Sequence, residues 1–217
     1  MSRLQEEIKK YQESFKQKVP QDIQELMLKA TKKLQEQKLS KNTLKVGDKA
    51  ITFKLKNANY KEICLEEQLK ENDFIVLNFY RGQWCPYCNL ELQALQSINA
   101  QLKALNGKII AISPQTPDNS LTTKEKNELE FEVLSDEFNK VAKEYGLVFS
   151  LDEELRPIYK SFGIDIITAN NEDSFELPMP ATFVINKNKE IIYSFVDEDY
   201  TKRSEPQTIL DIIQKNK

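Results

Sequence analysis

The chain of 217 residues contains no histidine, and this absence excludes several kinds of site. Histidine is the commonest general base at neutral pH, so Ser-His-Asp and Cys-His nucleophile arrangements are excluded. A structural zinc needs a closed set of cysteine and histidine ligands, and here only three cysteines, Cys64, Cys85 and Cys88, remain to supply it. We therefore expect neither a metal nor any other cofactor.

Long apolar runs and blocks of one charge are also absent from the sequence. No stretch is long and apolar enough to span a membrane, and residues 1–10 carry charges where a secretory signal needs an apolar core. The 31 basic and 34 acidic residues are mixed along the chain and leave a net charge of −3. Membranes and nucleic acids are therefore not expected as partners, and the low cysteine content favours a cytoplasmic location.

The residues that are present divide the chain into two predicted parts. Residues 1–45 are predicted to form a helical arm and a polar linker, and residues 46–217 a domain with its own core. The arm has two predicted helices separated at Pro20, each with an apolar stripe. The stripes are Leu4, Ile8, Tyr11 and Phe15 in the first helix and Ile23, Leu26, Met27, Ala30 and Leu34 in the second. Either the domain or a second copy of the chain in a homodimer must cover them.

From residue 46 onward, segments of strand type alternate with segments of helix type. Strands are predicted at residues 51–55, 61–65, 74–80, 108–112, 131–134, 181–186 and 191–196, and helices at residues 86–105, 120–129, 139–145, 153–162 and 207–214. A strand–helix–strand unit comes first, and a hairpin and a helix come last. This order indicates a thioredoxin-like α/β fold, in which helices flank a central mixed β-sheet.

The most informative stretch is Cys85-Pro86-Tyr87-Cys88, where the predicted strand 74–80 turns into the helix 86–105. Proline is tolerated at the first position of a helix, so Pro86 leaves Cys85 as the N-cap. The positive end of the helix favours a thiolate there and is expected to lower the pKa of Cys85. Cys85 is therefore the predicted nucleophile, and Cys88, deeper on the same helix face, the predicted resolving thiol.

Alternative interpretations remain for each cysteine. The Cys85 and Cys88 pair is otherwise half of a zinc site or a pair of inert structural thiols, although Trp-Cys-Pro at a strand end fits a redox site better. Cys64 lies in a short alternating segment and is interpreted as a small core residue. A role for Cys64 as a second resolving thiol is its alternative.

Several motifs of the domain occur together in one known family. In chain order they are FYRGQWCPYCN at residues 79–89, ISPQ at 112–115, VLSD at 133–136 and LPMPATFVI at 177–185. With these motifs the chain resembles peroxiredoxin-like proteins of the alkyl hydroperoxide reductase/thiol-specific antioxidant (AhpC/TSA) group, over about residues 46–215. The resemblance implies a thioredoxin fold with extra elements and a thiol-based reduction of peroxides or disulfides. The N-terminal arm lies outside it.

The resemblance also implies roles for individual residues. Arg81 is the candidate for the arginine that stabilises the thiolate and the charge that develops as the O–O bond breaks. Trp84 would shield the thiolate, and Pro180 would be the cis-proline that faces the Cys-x-x-Cys loop. Contacts with substrate or partner are expected at Trp84, Pro86, Pro180 and Thr182. Arg203 belongs to a late motif of the same proteins, and no role for it follows from the residues.

The chain departs from the family pattern at two positions. Typical members place a threonine or serine three residues before the peroxidatic cysteine and a proline seven before it, where this chain has Gly82 and Asn78. A hydroxyl that helps to orient the peroxide is therefore missing.

We therefore expect a cofactor-independent thiol peroxidase for hydrogen peroxide or organic hydroperoxides. Cys85 would become a sulfenic acid, Cys88 would resolve it to a disulfide, and a thioredoxin- or glutaredoxin-type reductant would reduce that disulfide. A disulfide reductase and a non-enzymatic redox-sensing interaction module are the alternatives. The missing hydroxyl favours the reductase, and the resemblance along the whole domain favours the peroxidase.

Overall fold

The computed structural model describes residues 3–217 as helices packed on both faces of a central β-sheet. The strands are β1 (Lys54–Asn57), β2 (Glu62–Cys64), β3 (Phe74–Phe79), β4 (Gly107–Ser113), β5 (Glu132–Ser135), β6 (Val148–Ser150), β7 (Glu176–Pro178), β8 (Ala181–Asn186) and β9 (Ile191–Val196). The helices are α1 (Arg3–Lys18), α2 (Gln21–Gln37), α3 (Leu65–Glu71), α4 (Pro86–Ala104), α5 (Pro117–Lys126), α6 (Lys140–Glu144), α7 (Arg156–Ser161), α8 (Ile166–Asn170) and α9 (Pro206–Lys215).

The central sheet has seven strands in the order β2-β1-β5-β4-β3-β8-β9. Strands β3, β4 and β5 run parallel, and the outer strands pair antiparallel with their neighbours. Strand β3 lies between β4 and β8, with Phe79 beside Ile112 on one side and Ala181 on the other. A parallel pair needs a crossover connection, and α4 supplies it between β3 and β4. The fold therefore places the start of α4 at the end of a central strand.

The core lies on both faces of this sheet. All six residues of β3 are buried, and they alternate between the two faces. Val76 packs with Leu92 and Leu95 of α4, while Leu77 packs with Tyr145 and other side chains on the opposite face. Because both faces are covered, β3 is apolar at every position except Asn78, as is typical of a buried parallel strand.

The N-terminal arm packs against the rest of the molecule. Leu4 and Ile8 of α1 are buried in the same cluster as the α4 side chains. In α2, Ile23, Leu26, Met27 and Ala30 cover a separate cluster around Leu155 and Ile158. Exposed ion pairs join Lys29 to Glu154 and Lys33 to Asp152, at 3.1 Å and 2.8 Å. The structure thus shows the domain covering the stripes, while the homodimer and the division of the chain at residue 45 stay predictions.

Sequence patterns predicted most of the central elements well. Strand β3, helix α4 and the β8–β9 hairpin fall within one residue of their predicted bounds. The predicted strand at residues 51–55 starts only at Lys54, because the carbonyls of Ile51 and Phe53 accept from the Tyr145 hydroxyl and Leu65 N–H instead of from a neighbouring strand. Helix α3 was missed because it follows β2 without a turn residue, and the β6–β7 pair and α8 were missed because each is very short.

Among the helices of residues 3–217, none combines the length and the apolar character needed to cross a membrane.

Candidate active site

Cys85 and Cys88 lie where β3 leaves the sheet and α4 begins. Pro86 occupies the first turn of α4, and Cys85 is its N-cap, as the sequence predicts. Several hydrogen bonds fix the loop between strand and helix, among them that of Gln83 N–H to Gln115 Oε1 at 2.7 Å. Cys85 N–H donates to the Gly82 carbonyl at 3.0 Å, and Asn89 Nδ2 donates to the Gln83 carbonyl at 2.8 Å. These bonds hold the Cys85 side chain at a defined position.

The two sulfur atoms are 2.7 Å apart, with Cys88 Sγ as the donor and Cys85 Sγ as the acceptor. Both side chains have 0% of their surface exposed, so exposure does not distinguish the two thiols, and the greater depth of Cys88 stays a prediction. Among the described residues, no backbone N–H of α4 donates a capping bond to the Cys85 sulfur. The hydrogen bonds that the Cys85 sulfur accepts come instead from the side chains of Arg81 and Cys88.

Opposite pKa shifts distinguish the two thiols. Burial is the largest single effect on Cys85 and opposes ionisation, but the hydrogen bond from Cys88 and the charges of Arg81 and Arg203 together lower the pKa of Cys85 well below its usual value. Burial and the hydrogen bond to Cys85 raise the pKa of Cys88 well above its usual value. Cys85 is therefore the thiolate of the pair. Cys88 remains a protonated thiol, and its S–H donates a hydrogen bond to the Cys85 sulfur.

Arg81 is enclosed beside Cys85, with 4% of its surface exposed. Its Nη2 donates to Cys85 Sγ at 3.4 Å, and its Nη1 donates to the Tyr159 hydroxyl at 3.2 Å. The guanidinium carbon lies 4.3 Å from the centre of the Tyr200 ring and 5.3 Å from that of Trp84. Contacts of this kind with aromatic faces attract a cation and fix its orientation. Arg81 therefore lies at the reactive sulfur, where the sequence predicts it.

Arg203, from the segment between β9 and α9, faces the second sulfur. Its Nη2 donates to Cys88 Sγ at 3.5 Å, and its Nη1 donates to the backbone carbonyls of Tyr200 and Lys202. Its Nε lies 2.8 Å from Glu91 Oε2, but the N–H is poorly aligned with that oxygen, so the contact is an ion pair more than a directed hydrogen bond. Burial raises the pKa of Glu91 to about 7, against the opposing effect of Arg203.

An apolar cleft and a polar cleft meet at Arg81, Tyr159 and Tyr200. The apolar cleft has a volume of about 390 Å³ and lies between the arm and the domain. Its aromatic lining comprises Tyr11 and Phe15 from α1 and Trp84, Tyr87, Tyr159, Phe162 and Tyr200 from the domain. Tyr11 contacts Tyr87 edge to face at 5.1 Å between ring centres, and Tyr87 contacts Tyr200 at 5.5 Å. These contacts connect the arm to the ring beneath Arg81.

The residues predicted to face a substrate or partner separate into three groups. Trp84 and Pro86 line the apolar cleft. Pro180 lines the polar cleft, but the prediction of a cis-proline is wrong, since residues 3–217 contain no cis peptide bond. Pro180 instead enters β8 in the trans form, which is favoured by about 0.5–1 kcal/mol. Thr182 is fully buried and donates to Glu91 Oε1 at 3.3 Å, which argues against direct contact with a partner.

The two departures from the family pattern have structural counterparts. Gly82 has φ +155°, and a Cβ atom there would lie 2.4 Å from Trp84 Nε1. A threonine at position 82 would therefore require Trp84 to move. In this chain the Trp84 indole ring occupies the space beside position 82. Asn78 is fully buried and donates to the Thr182 hydroxyl at 3.2 Å, which ties β3 to β8 beneath the site.

Some residues of the site were not found from the sequence, and Cys64 proved remote. Glu91 could have been found, because a charge three residues after Cys88 falls on the buried face of a predicted helix. Tyr159 and Tyr200 come from distant segments, and no pattern around them points to Arg81. Cys64 lies on β2, which β1, β5 and β4 separate from β3, a distance of about 19 Å at the usual strand spacing. This position agrees with a core residue.

Comparisons with known proteins identify relatives of the domain. A model of the AhpC/TSA family matches residues 46–194. The putative peroxiredoxin bcp of Buchnera aphidicola is 31% identical over 109 residues, which are 48% of this chain and 65% of that protein. The thiol-disulfide oxidoreductase ResA of Halalkalibacterium halodurans is 26% identical over 149 residues, 68% of this chain and 66% of that protein. The chain thus spans slightly less than two thirds of the length of these relatives.

A solved structure shows the same fold. The peroxidoxin BcpB of Mycobacterium tuberculosis matches with a TM-score of 0.65 at 18% identity, over 80% of this chain and 99% of that chain. The predicted thioredoxin-like α/β fold with an N-terminal helical extension is therefore confirmed. Since the family model covers more than half of the sequence, from residue 46 to residue 194, the chain belongs to the AhpC/TSA family.

Proposed function

We propose that the protein is a thiol peroxidase whose nucleophile is the Cys85 thiolate. The main support for this proposal is the hydrogen bond of 3.4 Å from Arg81 Nη2 to Cys85 Sγ. The pKa of the Cys85 thiol is lowered well below its usual value. A thiolate is the nucleophilic form of cysteine, and a fixed guanidinium beside it can also stabilise charge on a peroxide oxygen. Family membership and the likeness to curated peroxiredoxins support the same activity.

The proposed reaction begins with attack of the Cys85 sulfur on the terminal oxygen of a hydroperoxide. A sulfur–oxygen bond forms, the O–O bond breaks, and the alcohol or water leaves with a proton. Arg81 stabilises the charge that develops on the leaving oxygen. The sulfur is oxidised to a sulfenic acid, and Cys88 then converts it to an intramolecular disulfide. A thioredoxin-type protein reduces that disulfide, and the low cysteine content agrees with a cytoplasmic setting.

Organic hydroperoxides are the substrates that the apolar cleft supports best. Its walls are largely aromatic, and its lining includes Arg81, which donates to Cys85 Sγ, and Trp84, which precedes Cys85 in the chain. An apolar body can bind between the rings while the hydroperoxide group points towards Arg81. Hydrogen peroxide cannot use these contacts, so we expect it to react more slowly than an aromatic hydroperoxide.

Disulfide reduction is the second candidate function. The likeness to a thiol-disulfide oxidoreductase and the absence of a hydroxyl at Gly82 favour it. In that reaction Cys85 attacks a disulfide sulfur, and Cys88 releases the product from the mixed disulfide.

The second-order rates of the fully reduced protein distinguish the two functions. We expect cumene hydroperoxide to oxidise Cys85 orders of magnitude faster than it oxidises free cysteine, and insulin or glutathione disulfide to react slowly. Trp84, the one tryptophan of the chain, lies next to Cys85 and can report the reaction by stopped-flow fluorescence. Rapid reduction of disulfides, together with peroxide rates no faster than those of free cysteine, would establish the reductase instead.

A further inference from the structure

The buried contacts of Arg203 are not explained by the reaction of Cys85 with a peroxide. Arg203 and Glu91 have 1% and 2% of their side-chain surface exposed. Removing two charges from water is expensive, and apolar replacements of such buried pairs are often equally stable or more stable. Stability alone is therefore a weak reason for this pair, and its position beside Cys88 suggests a chemical role.

The donors of Arg203 are divided between fixed partners and the sulfur. Nη1 is held by the two backbone carbonyls of its own loop, and Nε faces the Glu91 carboxylate. Glu91 is in turn held by the hydroxyl of Thr182. Nη2 is the atom aimed at Cys88 Sγ, at 3.5 Å. The guanidinium is thus oriented in advance towards the second thiol, as Arg81 is towards the first.

We propose that Arg203 is a catalytic residue of the second chemical step, which stabilises the Cys88 thiolate when Cys88 attacks oxidised Cys85, and that Glu91 is the positioning residue that holds Arg203. This inference rests on the proposed function. In the step, the Cys88 sulfur bonds to the Cys85 sulfur and the S–O bond of the sulfenic acid breaks. The hydroxide leaves as water with the proton that Cys88 loses, so no further oxidant or reductant is needed.

The charges around Cys88 also explain why Cys88 attacks only after Cys85 has been oxidised. The charged and titratable groups that face this part of the site are Cys85 and Glu91 of α4, Tyr80 and Arg81 of the preceding loop, and Arg203. Before oxidation, burial, the hydrogen bond to Cys85 and the negative charge of Cys85 keep Cys88 protonated. Oxidation to a neutral sulfenic acid removes the charge of Cys85. The positive charges of Arg203 and Arg81 then remain to favour ionisation of Cys88.

A rapid-quench experiment on the full chain separates the two steps. The reduced protein reacts with one equivalent of cumene hydroperoxide and is quenched with dimedone, which traps sulfenic acid, and N-ethylmaleimide, which traps thiols. We expect Arg203→Met to form the disulfide about 10²-fold more slowly, the usual scale for losing a fixed charge-stabilising donor. Formation of sulfenic acid should slow much less, because Arg203 contributes to the lowered pKa of Cys85 but Arg81 remains beside it. Arg203→Lys should recover much of the rate of disulfide formation, because it keeps the charge.

Matched variants test the specificity of the effect. Arg81→Met should slow sulfenic acid formation instead of disulfide formation. Arg3→Met should leave both rates unchanged, since Arg3 is an exposed residue at the start of α1 and lines neither cleft. A wild-type rate of disulfide formation in Arg203→Met would overturn the proposal, and so would an equal loss of both steps in Arg203→Met and Arg203→Lys.

The pH profile of the second step distinguishes charge from packing. Arg203→Met should move the profile to higher pH, because Cys88 loses a stabilising positive charge. Glu91→Gln should move it to lower pH, because the amide fills the same space without the opposing negative charge. If Arg203→Met slows the step but leaves its pH profile in place, the effect comes from packing and the proposal is wrong.

A second oxidant keeps this test independent of the peroxidase activity. Glutathione disulfide can convert Cys85 to a mixed disulfide, from which Cys88 displaces glutathione as Cys88 forms the same intramolecular disulfide. Release of glutathione should also slow in Arg203→Met. If wild-type protein forms no sulfenic acid with peroxide, the proposed function fails, and the rate of glutathione release still decides the role of Arg203.

Discussion

The front pair, Arg81 with Cys85, and the rear pair, Arg203 with Cys88, use the same chemical groups in different surroundings. In each pair a buried guanidinium points one Nη2 atom at a sulfur, at 3.4 Å and 3.5 Å. Arg81 is held by a tyrosine hydroxyl and aromatic rings at the end of two clefts. Arg203 is held by backbone carbonyls and a buried carboxylate.

Exposure does not distinguish the thiols, whereas the hydrogen bond from Cys88 to Cys85 and the surrounding charges do. Both sulfurs are fully buried, and each has an arginine beside it. The negative charge of Glu91 offsets that of Arg203, whereas Arg81 has aromatic partners that leave its charge uncompensated until Cys85 ionises. The front sulfur is therefore the one that ionises first.

Replacing each cysteine is the strongest test of this division. We expect Cys85→Ser to abolish peroxide turnover, because the remaining Cys88 has a raised pKa. Cys88→Ser should still react once and should accumulate a sulfenic acid, which dimedone labelling and intact mass can detect. The control Cys64→Ser should keep full turnover. Equal residual turnover in the Cys85 and Cys88 variants would contradict the division of roles.

Loss of the front arginine is the next largest expected effect. Arg81→Met should reduce the peroxide rate by about 10²–10³-fold, since it removes a fixed donor at the developing charge. The rate with glutathione disulfide should fall much less. Stopped-flow fluorescence of Trp84 measures both rates. A similar decrease with both oxidants would mean that Arg81 acts only by lowering the pKa of Cys85.

Titration of Glu91 should change the free energy of unfolding with pH. The pKa of Glu91 rises from 4.5 to about 7 on folding, so its contribution to stability is present below pH 4.5 and is lost as the pH rises through 7. Relative to Glu91→Gln, the wild type should lose about 3 kcal/mol of unfolding free energy over this interval. Urea denaturation at several pH values measures the difference. A constant difference across this interval would show that Glu91 titrates as an ordinary carboxyl.

The smallest effect is expected at the wall of the apolar cleft. Tyr11→Ala removes the ring that contacts Tyr87, so the rate with cumene hydroperoxide should fall by a few-fold, about 1 kcal/mol of aromatic contact. Hydrogen peroxide should react at the wild-type rate, because it is too small to use this wall. Equal decreases with both peroxides would indicate a loss of packing around Arg81 instead.

The front pair could be predicted from the sequence, whereas the rear pair could not. Local rules for helix starts place Cys85 and Pro86 together, and the family resemblance pointed to Arg81, four residues before Cys85, as the arginine at the thiolate. Arg203 reaches Cys88 from 115 residues away along the chain, and only the packing of the segment after β9 brings them together. The failed prediction of a cis peptide bond at Pro180 came from the resemblance, which does not contain the packing around that proline in this chain.

The arm and the domain each supply one wall of the apolar cleft, and this arrangement has a consequence for how binding can be observed. A docked arm completes the cleft and so strengthens binding of a molecule between the two walls. Because linkage is reciprocal, the bound molecule stabilises docking of the arm by the same free energy. Occupancy of the cleft should therefore protect α1 and α2 from limited proteolysis. The rate at which a protease cuts near Pro20 can then serve as an assay for unreactive ligand analogues, with no redox reaction involved.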